Sequence, residues 1–112
     1  MKAPIEEIKA FVDRNKEEMS LFWEQLVNRQ AGSKEVDRVN RIMHFLKKHL
    51  EREGIDCRLI DSHGSADVLV AELNADVPGA PLLLSGHCDT VFPSGSYPED
   101  PFHIEDGFAR GP

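Results

Sequence analysis

The side chains best suited to chemistry are those of His87 and Asp89, which lie one residue apart after an apolar run at 82–84. That run predicts a buried strand at 81–85. In an extended backbone, side chains two positions apart point to the same side, so the carboxylate can hold one imidazole nitrogen and leave the other directed outward. This arrangement orients histidines that bind metal ions. The sequence therefore predicts a metal-binding histidine, His87, with Asp89 as its supporting carboxylate, where a buried strand opens into a loop.

Other chemistries involve the same stretch. Cys88 is adjacent to His87, but neighbouring strand residues point to opposite faces, which favours an inert packed thiol over a Cys/His pair. Ser85, His87 and Asp89 would lie in one row, whereas triads are normally assembled from separate segments. A catalytic zinc generally takes three protein ligands, and His87 is the one evident ligand in this sequence. Four later acidic residues could attract a cation, although a solvated loop is the simpler interpretation: Glu99, Asp100, Glu105 and Asp106.

Two helices precede this stretch. Pro4 suits a helix start, and apolar residues recur at helical spacing as far as Val27, which predicts one long helix or two short ones. Gly32 and Ser33 fit a C-cap and an N-cap at the junction. A second amphipathic helix is then expected to end at Gly54.

Strands follow the helices, and Asp106-Gly107 predicts a tight hairpin turn between the last two. Because only the range 81–85 is uniformly apolar, it is placed toward the sheet centre. The element order predicts an α/β fold in which the two N-terminal helices pack on a mixed β-sheet. The strands are predicted at 55–60, 68–73, 81–85, 102–105 and 108–110.

Composition narrows the class of protein. A chain of 112 residues with 40% hydrophobic and 29% charged residues is typical of one soluble domain or part of one. The net charge of −7 and the lack of a basic cluster argue against a nucleic-acid partner. No apolar run is long enough to span a membrane, and residues 1–7 lack a leader sequence, so no membrane partner and a cytoplasmic location are expected by default. Cys57 and Cys88 do not indicate a disulfide framework.

Residues 82–92, followed by Pro101-Phe102 and by 106–112, resemble the first metal-site segment of the co-catalytic zinc metallopeptidases. That family includes carboxypeptidase G, aminoacylase, acetylornithine deacetylase and succinyl-diaminopimelate desuccinylase. The apolar strand, the Gly-His-x-Asp-Thr-Val core, the Pro-Phe pair and the Asp-Gly turn follow in the family's order with similar gaps. The resemblance covers nearly the whole chain, and its diagnostic motifs lie in the second half.

The resemblance implies that His87 is a zinc ligand and that Asp89 is the catalytic aspartate that supports it. It also implies that residues 1–112 are the N-terminal portion of one catalytic domain, without an internal boundary. The other ligands and the glutamate base would lie beyond Pro112. The complete enzyme would hold two zinc ions and hydrolyse the amide bond of a short peptide or N-acyl amino acid. This chain alone would be inactive and would bind no zinc tightly.

The alternative function, from a different class, is a non-catalytic binding or assembly module that keeps the fold without the chemistry. A sheet that ends after its central strand leaves backbone groups unpaired, so self-association through the exposed sheet edge is also expected. The sequence after Pro112 discriminates between the two functions. An aspartate in a Gly-x-x-Asp context would support the enzyme, because in the resembling family that aspartate bridges the two metals.

Overall fold

The structure, a computed structural model, describes residues 4–112 and is a mixed α/β chain. Residues 1–3, which belong to the stretch read for a leader sequence, lie outside the described residues. In the described part, no helix is long and apolar enough to cross a membrane. The elements are α1 (Ile5–Val27), α2 (Val36–Arg52), β1 (Asp56–Ile60), β2 (Val68–Glu72), β3 (His103–Glu105) and β4 (Phe108–Arg110).

The two predicted helices are confirmed, and the first is a single helix of 23 residues. Pro4 immediately precedes α1, and its fixed φ of −59° suits a helix start. The predicted caps are wrong: Asn28 is the C-cap of α1 and Glu35 is the N-cap of α2. Gly32 and Ser33 instead contact a distant segment of the chain, as described below. Gly54 follows α2 with a φ of +77°, in agreement with the predicted stop.

The core lies where α2 meets the loop before it and the β1–β2 hairpin. Ala31 in the loop and Val39, Ile42 and Met43 on α2 are between 1% and 8% exposed. Their spacing on α2 follows the helical period, so these side chains share one face of the helix. Half-buried apolar side chains surround this core: Leu26, Leu46, Leu59, Ala66, Leu69 and Cys88. Helix α2 is therefore the best-packed element, and the candidate site described below is attached to it.

The expected mixed sheet is wrong for residues 4–112, which form two separate two-stranded antiparallel sheets. In one, β1 pairs with β2, from Asp56 opposite Glu72 to Ile60 opposite Val68. In the other, β3 pairs with β4. The predicted hairpin turn is confirmed: Asp106 and its following glycine have φ values of 51° and 78°, as a two-residue hairpin turn requires.

The predicted central strand at 81–85 is also wrong. The backbone there has no strand assignment, and the side chains of Leu82, Leu83 and Leu84 are 86%, 86% and 85% exposed. A buried strand needs hydrogen-bonding neighbours and a cover on both faces. The described residues supply neither to this segment, so it lies exposed at the surface outside any strand.

Candidate metal centre

The segment that carries His87 and Asp89 is held by the loop between the helices. A parallel bridge joins Gly32 to Thr90. The Thr90 amide donates to the Ala31 carbonyl at 2.9 Å, and the Ser33 amide donates to the Thr90 carbonyl at 2.9 Å. The Ser33 hydroxyl also donates to the Thr90 carbonyl, at 3.0 Å. Gly32 and Ser33, read from the sequence as helix caps, thus dock the residue that follows Asp89.

The His87 and Asp89 side chains lie together, although no strand holds them. Nδ1 of His87 is 2.9 Å from the Asp89 carbonyl oxygen and 3.1 Å from Asp89 Oδ1. Both oxygens are acceptors, so Nδ1 carries the proton of the neutral ring, and Nε2 keeps its lone pair. The His87 side chain is 81% exposed, which leaves Nε2 accessible. The pair thus presents the tautomer that a metal-binding histidine uses.

The Asp89 carboxylate is stabilised in its ionised form. The Ser33 hydroxyl, whose one proton is shared between the Thr90 carbonyl and the carboxylate, is the main cause of a lowered pKa of Asp89, with smaller contributions from the Asp89 backbone amide and from His87. Hydrogen bonds to the charged form favour ionisation and outweigh the opposing effect of partial burial. At neutral pH Asp89 is therefore an anionic acceptor that can fix the ring of His87.

A cleft of about 420 Å³ opens beside this pair. Its lining includes Ser33, His87 and Asp89, together with apolar side chains of α2 such as Val39 and Met43. Cys88 also lines the cleft, packs against the core and is half-buried. Burial raises the pKa of the Cys88 thiol, which favours the inert protonated form over a nucleophilic thiolate.

Glu35 connects the two loops that meet beneath the site. Its Oε2 accepts hydrogen bonds from the Gly32 amide at 2.7 Å and from the Ser94 amide at 2.9 Å. Its Oε1 accepts one from the Ser94 hydroxyl. The Ser94 hydroxyl, followed by the Gly32 amide, lowers the pKa of Glu35 to about 2. Sequence reasoning missed this role, because an acidic residue at a helix start already has a local explanation in the helix dipole.

The donor set suits zinc in kind but is incomplete in number. An imidazole nitrogen such as Nε2 of His87 is of the type that zinc takes as a ligand, and Nδ1 of this ring is hydrogen-bonded to Asp89. Within residues 4–112, however, no three His, Cys, Asp or Glu side chains converge to hold a metal ion. Of the four acidic residues singled out in the sequence, Glu99 and Asp100 line a different pocket, and the other two lie at the β3–β4 turn.

Comparison of the chain with models of protein families, with curated proteins and with solved structures finds no significant match. The His87–Asp89 geometry is therefore the main structural support for any function assigned to this chain.

Proposed function

We propose that this chain is the N-terminal portion of a zinc-dependent hydrolase that cleaves the amide bond of short peptides or N-acyl amino acids. The proposal combines the resemblance of residues 82–112 to the co-catalytic zinc metallopeptidases with one structural observation. That observation is the hydrogen bonding of His87 Nδ1 to Asp89, which leaves Nε2 free to bind a metal.

Each residue of the pair has a distinct role in this proposal. His87 supplies one ligand nitrogen. Asp89 holds the ring in position and keeps the proton on Nδ1, and the Ser33 hydroxyl helps to keep Asp89 ionised. Zinc, when bound, polarises a carbonyl group and activates a water molecule. The general base and the remaining ligands would come from residues that follow Pro112 in the complete protein.

The incomplete ligand set also determines what the 112-residue chain does by itself. One neutral imidazole, even when well oriented, leaves most positions around zinc without a protein ligand. We therefore expect no stoichiometric zinc in the purified chain. One or two tightly held zinc ions per chain, measured by elemental analysis, would contradict this expectation.

A second candidate function is a non-catalytic binding or assembly module. The observation that favours it is the exposed apolar segment at 82–84, whose side chains are 85–86% exposed. A segment with three adjacent exposed leucines and no strand partner of its own could pair with another strand, either of a second copy or of a longer form of this protein. Sedimentation of the purified chain as a concentration-dependent dimer, with no metal requirement in the complete protein, would favour this function over hydrolysis.

The test of the proposed function uses the full-length protein and two matched variants. His87→Gln is expected to lower the zinc content and abolish amide hydrolysis, because it removes the ligand nitrogen. His63→Gln is the control, since His63 is also exposed and also lies beside a carboxylate two residues away, with Nδ1 3.5 Å from Asp61 Oδ2. Unchanged zinc stoichiometry in His87→Gln would defeat the ligand assignment.

A further inference from the structure

The segment that carries His87 and Asp89 has no strand beside it among the described residues, so its position depends on contacts to the loop before α2. The same loop, through the Gly32 amide, is also hydrogen-bonded to the carboxylate of Glu35. The loop pairs with Thr90 on one side, and Ser94 contacts the Glu35 carboxylate on the other. Thr90 directly follows Asp89, so the contact between this loop and Thr90 lies only one residue from Asp89 and three from His87.

Glu35 can attach these loops firmly to α2, because it lies at the start of this best-packed helix. It is the N-cap of α2, and Val39, on the same helix face one turn later, is 5% exposed. The carboxylate makes no side-chain capping bond to its own helix. Its oxygens accept three hydrogen bonds, one from Gly32 and two from Ser94. The carboxylate therefore joins both loops to a fixed element.

The remaining neighbour of Glu35 does not explain this geometry. Nε of Arg38 lies 3.8 Å from Oε1 of Glu35, and about half of the Arg38 side chain is exposed. Exposed ion pairs of this kind contribute little to stability. By contrast, hydrogen bonds from neutral donors to a carboxylate are among the stronger ones in proteins. The main interactions of the Glu35 carboxylate are thus its hydrogen bonds to the two loops, and its salt bridge to Arg38 is secondary.

We propose that Glu35 is a positioning residue that fixes the His87–Asp89 segment against α2 and thereby sets the affinity of the site for zinc. The statement about zinc rests on the proposed function. The statement about position rests on the hydrogen bonds alone, and the two can be tested separately in one set of variants.

The experiment compares Glu35→Gln and Glu35→Ala with Asp37→Asn in the full-length protein. Asp37 lies in the first turn of α2, so its variant removes the same helix-dipole contribution without touching the loops. Amide hydrogen exchange at Gly32 and Ser94 reports position, and competition with a chelator reports zinc affinity. Loss of hydrogen bonds to a charged group is expected to speed exchange at both amides by about tenfold or more in the Glu35 variants.

Zinc affinity is expected to fall by about tenfold in Glu35→Gln, at the lower end of the effect of outer-shell substitutions, and further in Glu35→Ala. Asp37→Asn is expected to match wild type in both measurements. Should Glu35→Ala fail to fold, Ser94→Ala removes one of the same hydrogen bonds and takes its place. Exchange at the amide of Ile42, whose side chain is buried on α2, is measured in the same samples, and it is expected to change less than exchange at Gly32 and Ser94, which separates positioning from general loss of stability.

Wild-type exchange rates at Gly32 and Ser94 in Glu35→Gln would overturn the positioning role. Faster exchange with unchanged zinc affinity would overturn the link between position and affinity. If the wild-type protein binds no zinc at His87, the proposed function fails, and the exchange rates alone then decide whether Glu35 positions the segment.

Discussion

Substitution of Gly32 by alanine tests the contact that holds the candidate site. A Cβ atom at this buried position would lie 3.0 Å from Pro93 Cα, 3.1 Å from the Phe92 carbonyl oxygen and 3.1 Å from Glu35 Oε2. Two of these three atoms belong to the backbone and cannot rotate away. We therefore expect Gly32→Ala to lower the free energy of unfolding by about 1–3 kcal/mol, the usual cost of inserting a carbon into a packed contact.

Gly86→Ala is the matched control for this substitution. A Cβ at Gly86 would have no heavy atom within 4 Å, and neither glycine has a positive φ. Alanine there should leave stability unchanged or raise it by up to about 1 kcal/mol, because it restricts the unfolded chain. In urea denaturation Gly32→Ala is thus expected to have a lower midpoint than wild type, and Gly86→Ala the wild-type midpoint or a higher one. Equal midpoints for both variants would refute the close packing of the loop against residues 92–93.

Two further predictions concern the core and acid stability. Ile42→Ala should lower the free energy of unfolding by about 2–4 kcal/mol, because Ile42 is 3% exposed. Ile8→Ala, at a position that is 53% exposed, should have a much smaller effect in the same denaturation experiment. The pKa of Glu35 is lowered from 4.5 to about 2, so its ionised form stabilises the folded state fully above pH 4.5. That contribution should be lost as the pH falls from 4.5 toward 2, and acid titrations of Glu35→Gln should lack this part of the pH dependence.

The elements predicted correctly from the sequence are those whose causes are local. Helical spacing of apolar side chains defined both helices, and Gly54 marked the end of α2. The residue pair Asp106-Gly107 correctly predicted the β3–β4 hairpin, because these two adjacent residues adopt the positive φ values that the turn needs.

The errors arose where distant parts of the chain decide the structure. The run at 81–85 has the composition of a buried strand, but a strand also needs partners, which no local pattern specifies. Gly32 and Ser33 have the residue types of helix caps, yet both are used to bind Thr90, more than fifty residues later. The role of Glu35 was missed for the same reason, since its partner Ser94 is 59 residues away in sequence.

The central claim is that His87 binds zinc through Nε2 while Asp89 holds Nδ1. The most direct measurement is anomalous X-ray diffraction at the zinc edge from crystals of the zinc-loaded full-length protein. We expect an anomalous peak about 2.0–2.1 Å from His87 Nε2, with Nδ1 still hydrogen-bonded to Asp89. Zinc bound elsewhere with Nε2 of His87 unliganded, or no bound zinc at all, would contradict the assignment.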